Sequence, residues 1–265
     1  MTRICVLGDA HLDVVVRLGG PVAPDTDTPA RTQVGVGGQA ANVAAWISAL
    51  GGQARLIAAQ GTDLAAGLIT QELARRGVDL AGPVLDGPTG VVVSLSEGGT
   101  SRSMLTDRGV GPRLSAATLD PGWLAGCDWL HLPAYSLASE PVSGAALAAA
   151  AQLPRLSVDL SSTALLREFG PARFRGLLGR LRPDVVFGTA DEVALIGGPP
   201  APADLVVKLG ARGVRAGGRV HPARPVRAVD PTGAGDAFAA GYLVGGVGLG
   251  LDAAARAVAK MGAMP

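Results

Sequence analysis

An α/β architecture, with a mostly parallel sheet flanked by helices and a small β-sheet lid, is the fold class that this 265-residue sequence predicts. Two observations carry it. Short β-rich runs alternate with longer Ala-rich amphipathic runs along most of the chain, which is the rhythm of parallel strands joined by crossover helices. In two places paired extended runs joined by turn-rich segments interrupt that rhythm, and these read as strands standing outside the main sheet.

Taken in order, strands are expected at Arg3 to Gly8, Ala54 to Ala59, Trp129 to Leu132, Leu156 to Asp159, Val185 to Phe187 and Leu205 to Leu209. Helices fit between them at Ala40 to Leu50, Leu64 to Arg76, Pro141 to Gln152, Arg173 to Leu181 and Ala190 to Ile196, with a last one from Ala237 to Val247. The extra extended pairs are Val14 to Leu18 with Arg31 to Val36, and Val91 to Leu95 with Ser101 to Leu105, the second joined through Glu97-Gly98-Gly99-Thr100. The expectation is one domain over 1–265, its lid strands drawn from about 14–36 and 91–105 and able to cover a site and exclude water. In open α/β sheets ligands bind beyond the carboxyl ends of the strands. The segments leaving those ends are Gly8-Asp9, Leu132-Pro133, Asp159-Leu160, Gly188-Thr189 and Gly210-Ala211, which should therefore cluster.

Composition bounds the function. With 48% hydrophobic and 17% charged residues the chain can bury a large core, and a net charge of +1 without a basic run argues against a nucleic-acid or anionic-membrane surface. Neither a signal peptide nor a membrane-spanning stretch is read, so a cytoplasmic location is expected. Cys5 and Cys127 lie far apart in apolar surroundings and read as two reduced, buried thiols.

The richest segment is Asp230-Pro231-Thr232-Gly233-Ala234-Gly235-Asp236-Ala237-Phe238. Its glycines let the backbone turn sharply and approach a ligand, and the following helix start offers unpaired N–H groups to an anion, best of all a phosphoryl group. Asp236 could take a proton from a hydroxyl nucleophile beside that anion, or be a plain helix N-cap. A second Gly-rich run, Gly35-Val36-Gly37-Gly38-Gln39-Ala40-Ala41-Asn42, also leads into a helix. Its Gly35-x-Gly37-x-x-Ala40 spacing imitates a dinucleotide fingerprint but lies too far from the first strand, which leaves an oxidoreductase as a distant reading. Asn42 and the backbone of Gly37 and Gly38 instead suit a polar ligand. Asp13, set between Leu12 and Val14, suits a sugar diol, as does Asp9 with less to separate it from a solvated carboxylate. Lysine occurs only at 208 and 260, so no P-loop exists.

With these residues in place, the chain resembles the ribokinase-like carbohydrate kinase (PfkB) family over nearly its whole length. Asp230 to Phe238 is similar to the family's C-terminal signature and Gly37 to Asn42 to its N-terminal one. Gly61-Thr62-Asp63 with Gly67, Leu73, Gly77 and Val78 is similar to a further family pattern, and Val207 to Gly213 resembles the strand and turn that contact the nucleotide. The resemblance implies transfer of the γ-phosphate of ATP to a sugar or nucleoside hydroxyl. It makes Asp236 the base and Gly233, Ala234 and Gly235 the anion hole, with Asp13, Gly37, Gly38 and Asn42 holding the acceptor. It also implies Lys208, Gly210, Arg212, Gly213 and Thr189 at the nucleotide, Glu192 organising Mg²⁺ through water, and Asp230 and Thr232 at a monovalent cation such as K⁺. Thr189 stands where the family usually carries Asn, and the chain stops at Pro265 where members usually continue, which implies a simplified adenine pocket. A ribose-like or other sugar leads as acceptor, ahead of an adenosine- or pseudouridine-like nucleoside. A weakened sugar- or nucleotide-binding sensor is the alternative from outside catalysis. The family's habit of dimerising through the lid implies a homodimer, with Val14, Val16, Val91 and Val93 as a face needing cover.

Overall fold

The computed structural model describes residues 2–97, 103–200 and 203–265. In chain order the elements are β1 (Arg3–Leu7), β2 (His11–Leu18), β3 (Ala30–Gly37), α1 (Gln39–Ala49), β4 (Gln53–Ile57), α2 (Leu64–Arg75), β5 (Val78–Ala81), β6 (Thr89–Glu97) and β7 (Ser103–Gly109). The chain continues through β8 (Trp129–Pro133), α3 (Val142–Ala150), β9 (Leu156–Asp159), α4 (Thr163–Phe169), α5 (Pro171–Leu181), β10 (Val185–Thr189) and α6 (Ala190–Ile196). It ends with β11 (Asp204–Lys208), β12 (Val214–Ala216), β13 (Arg219–His221) and α7 (Ala234–Val258).

The large sheet has the order β13-β12-β11-β10-β9-β8-β1-β4-β5, parallel except at β12 and β13. Strands of such a sheet are buried on both faces and so read as continuous apolar runs. In β1, Ile4, Cys5, Val6 and Leu7 are all fully buried. On one side they meet a layer containing Trp46, Phe187 and Phe238; on the other, one containing Leu132, Phe174 and Leu178. Strand order reverses direction of growth at β1, with β4 on one flank and β8 on the other, and a crevice at such a switch point is where an open α/β sheet takes its ligand.

The lid is a four-stranded sheet of order β3-β2-β6-β7. The expected antiparallel pairs β2–β3 and β6–β7 are present, and a parallel β2–β6 pairing joins them. The turn at 98–100 and Ser101 lie outside the described residues. Register sorts the lid's faces. Val14 pairs with Val34 and Val93, and Val93 with Leu105, so these share one face. Asp13 pairs with Val92 on the other, where Val92 and Ser94 are buried against the body. The Gly61-Thr62-Asp63 segment anchors the lid: Asp63 caps α2 by accepting from the Ala66 amide (3.1 Å) and also accepts from the Thr89 amide at the start of β6 (3.0 Å).

Two expectations change. Cys5 and Cys127 are joined in a disulfide, not separate thiols, because the loop before β8 runs past β1 and brings their Cα atoms to 6.0 Å, within bridging range. The last helix starts at Ala234, three residues earlier than expected, and is broken by non-helical angles at Gly245 and Gly246. Its two arms fold back so closely that a Cβ on Gly241 would stand 2.7 Å from the Gly250 Cα. The returning arm offers the Val258 carbonyl to the amides of Val229 (2.7 Å) and Asp230 (3.2 Å). By length and composition alone α7 could cross a membrane, but half of its apolar window is packed inside the protein.

Candidate active site

Two glycine-capped helix starts meet beyond the carboxyl end of β1. At the first, Gly38 caps α1 with φ 105°, a left-handed value that suits glycine, and a Cβ there would stand 2.4 Å from the Asp9 carbonyl oxygen. Gly37 is pressed against the Asp13 carboxylate, which lies 2.1 Å from where a Cβ would be. At the second, Gly233 caps α7 with φ 76°, and a Cβ would stand 2.6 Å from Ala263. No side chain caps either helix, so the first-turn amides face outward with the positive end of the helix dipole. Among the α7 amides, Ala234 donates to the Pro231 carbonyl at 3.3 Å.

Asn42 joins the two starts. Its Nδ2 donates to Asp236 Oδ2 at 2.9 Å, while its Oδ1 is buried with no hydrogen-bond partner. Burial pushes the Asp236 carboxyl up to about 7; the Asn42 hydrogen bond opposes this, Asp159 reinforces it and Lys208 opposes it. Asp13 Oδ1 lies 3.0 Å from His11 Nδ1, near enough to attract but out of line for a hydrogen bond, and both atoms are buried without one. Two orphaned acceptors, Asn42 Oδ1 and Asp13 Oδ1, are what a bound polyol would satisfy. Asp9 pairs with Arg108 of β7 at 2.8 Å, tying lid to body at this mouth.

Lys208 ends β11 and donates from Nζ to both oxygens of the buried Asp159, at 3.1 and 2.8 Å. Burial works against its charge, but Asp159 outweighs that and, with Glu192 and Asp236, holds the ammonium above its usual range. Gly210 and Arg212 form a short turn after β11. Gly213 (φ 94°) sits where a Cβ would strike the His221 carbonyl at 2.0 Å. Thr189 and Glu192 form a capping box at the start of α6: Thr189 Oγ1 accepts from the Glu192 amide (3.3 Å) and Glu192 Oε2 from the Thr189 amide (2.7 Å). The Thr-x-x-Glu spacing could have announced it. Asp230 is buried; its Oδ1 accepts from the Thr232 amide (2.9 Å) and hydroxyl (2.6 Å), and its Oδ2 from the Gly262 amide (3.1 Å). Sequence reasoning missed Asp159 and Arg108. A carboxylate closing the apolar run of β9 was the available signal for Asp159. A cleft of about 470 Å³ between Trp129, Arg155, Arg182 and Tyr242 opens at the opposite, amino end of the strands and shares none of this chemistry.

The model for the pfkB family carbohydrate kinases matches residues 1–264. The chain belongs to that family. Among relatives of this pfkB kinase, the ATP-dependent ribose-1-phosphate kinase of Halopiger xanaduensis is 30% identical over 92% of this chain and 84% of its own. The fructokinase of Klebsiella pneumoniae is 32% identical over the same shares. An E. coli chain proposed as a Ribokinase II and solved with ATP and Mg²⁺ superposes with a TM-score of 0.84 at 22% identity, covering 100% of this chain and 95% of that one, which shows the shared fold. The protein is thus a ribokinase-like, ATP-dependent carbohydrate kinase of the pfkB family.

Proposed function

We propose that this pfkB kinase transfers the γ-phosphoryl group of ATP to a hydroxyl of a small carbohydrate, with Asp236 as general base. The observation that carries it is the Asn42–Asp236 contact, which sets a proton acceptor titrating near 7 between two unsatisfied acceptor atoms and an uncapped helix start. In this reading Asp13, Asn42 and the Gly37-Gly38 backbone hold the hydroxyls. Asp236 takes the proton of the attacking one as its oxygen bonds to phosphorus. ADP leaves from the opposite side, its departure eased by the Gly233-Ala234-Gly235 turn, whose amide dipoles need no reorganisation as charge develops. Lys208, Gly210, Arg212, Gly213 and Thr189 serve the nucleotide.

Asp159, Glu192 and Asp236 all act on the single ammonium of Lys208, so the site carries surplus negative charge. Among the described residues no three-ligand cage exists, which suits a Mg²⁺ held chiefly by phosphate oxygens and water, with Glu192 as the outer carboxylate. When bound, the ion neutralises phosphate charge. Asp230 and Thr232 are proposed ligands of K⁺, which omission of K⁺ from the assay would test. ATP as donor supports a cytoplasmic setting. The outward apolar face of the lid, with Val34 and Leu105 more than half exposed, supports a homodimer through the lid, to be checked by light scattering.

A panel of sugars and nucleosides scored by ADP release identifies the acceptor. Turnover on a sugar is expected. Turnover confined to nucleosides would transfer the reading to that class, and saturable binding without ADP release would make the protein a sensor.

A further inference from the structure

We propose that Lys208 contacts the phosphoryl group during transfer and that Asp159 positions it there. This rests on the assignment of the α7 start as anion hole. Position is the first argument. A Cβ built on Gly235 would stand 3.3 Å from Lys208 Nζ, 3.6 Å from Cδ and 3.9 Å from Cε, so the side chain lies along the first turn of α7, one residue before Asp236. Charge is the second. An ammonium at the positive end of a helix dipole is unfavourable in itself, and basic groups belong at the other end. Such a placement makes sense where an anion is to be shared between them.

Asp159 accounts for how the arrangement survives without that anion. Its side chain is fully buried, it bonds Nζ through both oxygens, and its Oδ1 also accepts from the Ser161 amide at 2.9 Å, which fixes the carboxylate. Of the three ammonium donors, two serve Asp159 and one remains, and the Lys208 side chain keeps 17% exposure. An ion pair built only for stability would do little here, since buried pairs roughly break even against apolar replacements. Glycine at 235 is the matching piece, because a Cβ there would stand 3.3 Å from the ammonium and press on it. The bond formed and broken is that of the proposed transfer. Lys208 keeps its proton and supplies a donor to an oxygen of the group in flight.

Lys208→Met, Lys208→Arg, Asp159→Asn and the paired Lys208→Met/Asp159→Asn variant are to be assayed beside Asp236→Asn. ATP affinity is measured separately by titration calorimetry with a non-hydrolysable ATP analogue. Lys208→Met is expected to lower kcat by about 10²–10³-fold, the typical loss of one oxyanion donor, with analogue affinity changed less than threefold. Lys208→Arg should recover part of the loss. Asp159→Asn should lower kcat by roughly tenfold, as a freed lysine spends less time in place. The paired variant leaves no buried carboxylate unpaired, so it answers the question even where Lys208→Met fails to fold. A folded Lys208→Met or paired variant with kcat within threefold of wild type overturns the proposal, as does a loss found only in analogue binding. If Asp236→Asn turns over normally, the proposed transfer with its base at the α7 start, on which this inference rests, fails. If it is dead while Lys208→Met is active, only the role of Lys208 falls.

Discussion

The starts of α1 and α7 are the same device in local geometry and opposites in chemistry. Each has a glycine cap with positive φ, no capping side chain, and amides aimed into the same crevice. Around α1 the walls are the Asp13 carboxylate and the Asp9 carbonyl, which repel an anion and accept hydroxyls. Around α7 the wall is Lys208, which does the reverse. A helix N-terminus therefore does not by itself choose an anion; the groups crowded against its glycines do. Asn42 spans both, and in the proposed reading Asp236 sits where a hydroxyl from one side meets a phosphoryl group from the other.

The largest test of this division is Asp236→Asn. Turnover should fall by about 10²–10⁴-fold, the contribution of a positioned base, with ATP-analogue binding retained. Stability should move the other way. Because the folded carboxyl titrates near 7, well above its ordinary 3.8, the native state holds the proton more tightly than the unfolded chain. Asp236 therefore costs stability increasingly as pH rises from about 4 to 7, and in full above that. Thermal melts should show the Asn variant gaining more over wild type at pH 8 than at pH 5.

Next in size is a paired comparison of two glycine substitutions. Gly37→Ala drives a methyl into the Asp13 carboxylate and should raise the acceptor KM by about tenfold or more, with ATP affinity unchanged. Gly235→Ala places its methyl 3.3 Å from the Lys208 ammonium and should lower kcat with the acceptor KM preserved. Equal effects of both on both substrates would abolish the distinction between the two helix starts. Smallest is Asn42→Ala. The Asn42 bond pulls the Asp236 pKa down, so removing it should shift the acidic limb of the kcat/KM profile above its starting position near 7. A limb that stays in place would remove Asn42 from the control of the base.

Much of this was legible in the sequence, and the reasons for the rest are physical. β1 and β8 to β11 announced themselves because strands buried on both faces are mostly apolar runs set between helical stretches. The three-residue β12 and β13 and four-residue β5 are too short for any period to show, and the parallel β2–β6 pairing depends on contacts far apart in sequence. Gly37, Gly38, Asn42, Gly233 and Asp236 stood out because glycines before a helix followed by a polar residue have few structural uses. Asp159 did not, since a carboxylate closing an apolar strand is a faint signal; its meaning arises only when β11 delivers Lys208 across the sheet. The bond between Cys5 and Cys127 was equally invisible, being fixed by how a loop passes β1.

The contact between Gly241 and Gly250 has a consequence for heredity. Those residues touch no proposed substrate, yet the two arms of α7 can lie backbone to backbone only while both lack side chains, and the returning arm holds the loop that precedes the proposed anion hole. A screen for inactive alleles should recover changes at these two codons alongside those at Asp236 and would, without the structure, mistake them for lesions of the reaction centre.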